Sequence, residues 1–207
     1  MYSKKGVDSM KNKNSKLAIG IAILFEIIAI STIIIKLISR QWDNLHLLFL
    51  VIVCITLPFI ITHLANKYNY ILPSSFQIAS LSFILLAQYF GEFIQFYTMF
   101  SWWDLFLHGG FGCYTPIIGL NLMQGILVKR EEITKKRFII FTGILAFCFT
   151  LTLGTLWEIF EFLCDYFLKT GMTTGGLQDT MTDLLIKTLL ALITTSIYCY
   201  KEIKNSK

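Results

Sequence analysis

Eight polar side chains in this sequence have the types and spacings that chemistry needs: Glu92, Asp104, His108, Glu158, Glu161, Asp165, Asp179 and Asp183. Asp104 and His108 are i, i+4, and so are Asp179 and Asp183. On a helix each pair occupies one face. Glu158, Glu161 and Asp165 follow an i, i+3, i+7 spacing and also share one helical face. Carboxylates crowded in an apolar setting cannot all stay ionised without cations. Either some hold protons, or Lys187 and Lys169 pair with them, or a metal binds. Oxygen ligation suits Mg²⁺, Mn²⁺ or Ca²⁺, and the one imidazole extends the choice to Zn²⁺ or Fe.

The elements that must position these groups are long apolar runs. Of the 207 residues, 55% are hydrophobic and only 15% charged, where a soluble domain carries about a quarter charged residues. Six runs each meet the roughly 20 apolar residues that a membrane helix requires. They lie at about 17–38, 45–65, 76–97, 105–128, 138–167 and 180–200, preceded by a polar, disordered arm over 1–16 and followed by a short tail over 201–207. The first run is too long for a signal-peptide core, contains Glu26 and lacks a small-residue cleavage site, so it reads as an uncleaved span. Pro58 falls inside the second run and predicts a kink there. The fold class expected is an all-α polytopic membrane bundle of six transmembrane helices.

Orientation follows from the basic residues. The arm, the second loop, the fourth loop and the tail together hold 14 of the 18 Lys and Arg residues. With six spans those segments share one side, which predicts that both termini are cytoplasmic. The net charge of +5 is then a topology signal with some attraction to anionic lipid, and nucleic-acid binding is not expected. In that orientation all eight polar residues fall at the extracytoplasmic end of the bundle.

Three stretches carry a family resemblance. They are Trp103-Asp104-Leu105-Phe106-Leu107-His108-Gly109-Gly110-Phe111-Gly112, then Trp157-Glu158-Ile159-Phe160-Glu161, then Gly175-Gly176-Leu177-Gln178-Asp179-Thr180-Met181-Thr182-Asp183. Together they resemble the YjdF-like family of small bacterial inner-membrane proteins of unknown function, over roughly residues 76–197. A looser similarity exists to the VanZ-like family, linked by resemblance to glycopeptide resistance. The resemblance implies a multi-pass protein of the cytoplasmic membrane and implies no reaction.

Two functions fit the residues. One is a metal-assisted enzyme, such as a hydrolase, acting on a lipid-linked or cell-envelope substrate. There Asp104, His108, Glu158, Asp179 and Asp183 hold a divalent metal (Mg, Mn, Ca or Zn), Glu161 is general base and Asp165 supports it. The alternative is a non-enzymatic transporter or binding protein for a cation or cationic ligand, with Glu26 as a relay deeper in the membrane. Lys187, one turn from Asp183, predicts an intrahelical ion pair, or a contact with a substrate phosphate or headgroup. Gly109, Gly110, Gly112 and Gly119 predict close helix approach. Trp42, Trp102, Trp103 and Trp157 read as interfacial belt residues, and His46 and His63 as interfacial. The cysteines at 54, 113, 148, 164 and 199 read as small buried hydrophobes with no disulfide framework.

Overall fold

The computed structural model of the chain describes residues 12–40, 45–168, 172–173 and 175–206. Among these residues every regular element is a helix and none is a strand. The helices are α1 (Lys16–Ile38), α2 (Leu45–Lys67), α3 (Phe76–Ile84), a π-helical continuation (Leu85–Phe93), α4 (Phe96–Met99), α5 (Trp103–Ile126), α6 (Lys135–Leu168) and α7 (Leu177–Lys204). Trp42 and Lys169, singled out in the sequence, lie outside the described residues, as do the first 11 residues of the arm.

Among the described residues, four helices are long and apolar enough to cross a membrane: Lys16–Ile38, Leu50–Lys67, Lys135–Phe167 and Leu177–Lys204. Helix α1 is rich in β-branched isoleucine, which lowers helix propensity in water. In lipid the backbone must pair internally, and the helix does that within one segment. Ile23, Ile27, Ile30 and Ile34 are all exposed along it, an apolar surface suited to lipid rather than water. The expected runs 76–97 and 105–128 are not among these four. His108, Asn121 and five glycines dilute the hydropathy of the second.

The first of those two is also not one continuous helix. Its backbone widens to π-helical geometry over Leu85–Phe93 and breaks at Gln95, whose φ is 67°. A π turn carries an extra residue and marks strain or a functional bulge. Gly91 sits directly under the Tyr97 ring, where a Cβ would collide. The tilted and edge-on rings of Tyr89, Phe90, Phe93, Phe96, Phe100 and Trp103 stack through this segment. Trp103 is buried, while Trp102 and Trp157 are exposed, so the belt expectation fails at Trp103.

The chain forms two compact units, residues 1–103 and 104–207. In the first, Ala18, Ala22 and Ala29 turn one small-residue face of α1 onto Val51, Ile55 and Leu81. The last residues of the expected disordered arm are tied down here. Asn12 N–H donates to Asn66 Oδ1 at 2.8 Å, and Asn66 Nδ2 donates back to the Asn12 carbonyl at 2.8 Å. Ser15 N–H donates to Gln77 Oε1 at 2.8 Å, and Gln77 Nε2 donates to Asn14 Oδ1 and Thr62 Oγ1. Asn and Ser supply the hydrogen bonds that an uncharged polar segment needs in order to pack.

The second unit contains α5, α6 and α7, and α6 and α7 pack along one another. Cys113 and Cys148 are exposed rather than buried, and all five cysteines are free thiols. The expected close approach of glycines holds at Gly112 and Gly119. Gly110 has open space where a Cβ would sit.

Candidate functional site

Helix α5 opens with Asp104 in its first turn, where a carboxylate interacts favourably with the helix dipole. One turn on, His108 Nε2 lies 3.2 Å from Asp104 Oδ1. The same nitrogen lies 3.6 Å from Asp183 Oδ2 on α7. One imidazole thus faces two carboxylates from two helices. His108 is 7% exposed and Asp183 3%.

Helix α6 supplies Glu158 and Glu161. Lys187 Nζ donates to Glu158 Oε1, closing α6 onto α7 across 29 positions of sequence. Both partners are buried, Lys187 at 2% exposure and Glu158 at 4%. The lysine is walled in. Its stem passes Gly154, where a Cβ would come within 3.3 Å of Lys187 Cδ. Its backbone meets Gly112, where a Cβ would lie 2.7 Å from the Lys187 carbonyl oxygen. The expected partner within α7, Asp183, is therefore not the one that Lys187 bonds. Its ammonium reaches across to α6. The sequence carried a signal for this only in Gly112 and Gly154, which make room for the lysine.

Lys187 bonds one oxygen of Glu158. The other, Oε2, is buried and has no hydrogen-bond partner among the described residues. A buried carboxylate oxygen without a donor is costly, and such a site suits a cation. Glu161 stands one turn on, its Oε1 accepting from Trp157 Nε1 at 2.7 Å.

Among the described residues, two sets of side chains are spaced as metal ligands would be: Asp104, His108 and Asp183, and His108, Glu158 and Glu161. Within each set the ligand atoms lie within 4.8 Å of one another. Ligand oxygens sit about 2.0–2.6 Å from Mg²⁺ or Ca²⁺, so ligands across one ion are about 4–5 Å apart. The two sets share His108.

The remaining sequence candidates are placed differently. Asp179 is half-buried in the first turn of α7, against Gly175, and belongs to neither set. Asp165 accepts from the backbone N–H groups of Met172 and Thr173, each at 2.7 Å, and from the Thr173 hydroxyl. It shapes the connection leading to α7, where Gly176, at φ 62°, adopts a backbone that disfavours side chains. Glu92 lies in the π-helical stretch and Glu26 in α1, both within the first unit.

Comparison with known proteins fits this architecture. A protein of Thermotoga maritima described as uncharacterised is 30% identical over 118 residues. The alignment covers 57% of this chain and 58% of that protein, so the chain spans a little over half of that relative's length. No solved structure matches. The model of the DUF2238 family, described as predicted membrane proteins, matches residues 19–203. The chain therefore belongs to the DUF2238 family of predicted membrane proteins.

Proposed function

We propose that this is a multi-pass protein of the cytoplasmic membrane that uses a bound divalent cation to hydrolyse a lipid-linked or cell-envelope substrate on the extracytoplasmic side. The observation carrying this reading is the convergence of Asp104, His108 and Asp183 from two helices, two of the three being buried. Those residues are the cation's ligands. A bound cation acidifies its water and polarises a carbonyl or phosphoryl oxygen. Beside such a site Glu161 would serve as the general base that takes a proton from water. Asp165 supports the site from outside by holding the connection at 172–173.

Six spans with both termini cytoplasmic go with this reading, on the strength of where the Lys and Arg residues lie. A YjdF-like affiliation is compatible with it through the three motif stretches. The competing reading, a carrier or binder of cations, requires Glu26 as a relay. Hydrolysis of lipid-linked phosphate and ester substrates by the purified, detergent-solubilised protein tests the choice. The proposal expects activity that chelator abolishes and that falls at least about 100-fold in Glu161→Gln. Activity indifferent to chelator would refute it.

A further inference from the structure

We propose that the site takes two divalent cations, the second held by Glu158 and Glu161 beside the shared His108. The inference rests on the metal reading of Asp104, His108 and Asp183 and adds a second ion next to it. Three observations carry it. First, Glu158 is 4% exposed and its Oε2 has no hydrogen-bond partner among the described residues, although Lys187 fixes its other oxygen. Lys187 thus sets the orientation of that carboxylate and leaves one oxygen for another cation. Second, His108, Glu158 and Glu161 offer ligand atoms within 4.8 Å of one another, the spread that one ion spans.

Third, the excess of carboxylates favours cations at this end of the unit. Asp104, Glu158, Glu161, Asp179 and Asp183 line this end of the second unit, and Lys187 is the cation bonded among them. Fully ionised, five carboxylates against the Lys187 ammonium leave four negative charges, which two divalent cations would neutralise without added protons. Burial makes that residue of charge expensive.

Divalent cations on these neighbouring carboxylates, with His108 giving its nitrogen to one of them, would together polarise the oxygens of a phosphoryl group. The substrate class favoured is therefore a phosphate ester or pyrophosphate. The acidic walls would repel such a group unless the ions lay between. With both ions bound, Glu161 serves as a ligand.

Mn²⁺ titration of the detergent-solubilised full chain tests this, with bound metal counted per protein and electron paramagnetic resonance reporting whether the ions are coupled. The expectation is two Mn²⁺ per chain with a spin-coupled signal. Glu161→Gln, which leaves the Lys187–Glu158 pair intact, should bind one, uncoupled. Glu158→Gln, if it folds, should do the same. One Mn²⁺ in wild type, or two that persist in Glu161→Gln, would overturn the second site and leave the single-cation reading standing. No binding of Mn²⁺, Mg²⁺, Ca²⁺ or Zn²⁺ would overturn both.

Discussion

Each unit of this protein buries a polar network, and the two networks are built on opposite principles. In the first, Gln77, Asn12, Asn66, Thr62 and Ser15 are uncharged, and they exchange hydrogen bonds within the network. Gln77 is 4% exposed and uses both its carbonyl and its amide. In the second, His108, Asp183, Glu158 and Lys187 are equally buried but ionisable, and one carboxylate oxygen has no hydrogen-bond partner among the described residues. A satisfied neutral network fixes structure. An incompletely compensated charged one stores a binding capacity, because a cation entering it relieves desolvation and repulsion together.

The sharpest way to break the contrast is to unbalance the charged network further. Lys187→Met leaves Glu158 buried without its cation and should cost about 3–5 kcal/mol. Thermal unfolding in detergent reads this. The double variant Lys187→Met/Glu158→Gln should recover much of the loss, because a buried pair replaced as a unit is nearly neutral. Equal destabilisation by single and double variants would show that the lysine acts through packing alone.

The neutral network should respond differently. Gln77→Ala strands the Ser15 N–H and should cost about 1–3 kcal/mol. Its metal content should equal that of wild type. A loss of metal in Gln77→Ala would mean that the two networks are not separable in function.

Glycine substitutions sharpen the comparison within the second unit. Gly112→Ala places a methyl 2.7 Å from the Lys187 carbonyl oxygen, a backbone atom that cannot swing away, and should cost about 1–3 kcal/mol. Gly110→Ala meets open space and should stay within about 0.5 kcal/mol of wild type. The reverse order, measured by the same unfolding assay, would contradict the approach of α5 to α7 at Lys187. The smallest effect expected is at Glu26. Glu26→Gln should leave metal content and hydrolysis unchanged, whereas a cation carrier with a mid-membrane relay would lose transport.

Much of this was legible in the sequence, for identifiable reasons. Helix spacing alone sets Asp104 beside His108, and residue type alone marks them as candidate ligands. The long apolar runs read as helices because their length and hydropathy leave little else possible in lipid. Rotation of one helix against another was not legible. Lys187 has Asp183 one turn away, and nothing in the spacing says that its ammonium turns instead to Glu158, 29 positions back. Asp165 shares a face with Glu158 and Glu161, yet bonds the chain beyond its helix, because the backbone donors of Met172 and Thr173 are nearer. The π-helical stretch had one sequence trace, Gly91, whose missing Cβ admits Tyr97. The anchoring of residues 12–15 hid behind a polar composition that resembles disorder until Gln77 is seen to receive it.

The most direct test of the central claim is elemental analysis of the purified protein, comparing wild type with Asp183→Asn. The account predicts stoichiometric divalent metal in wild type and a loss of at least about tenfold in affinity in the variant, with the helical content of both unchanged. Wild-type protein that binds no metal after exposure to Mg²⁺, Mn²⁺, Ca²⁺ and Zn²⁺, or an Asp183→Asn variant that holds metal as tightly, would contradict it.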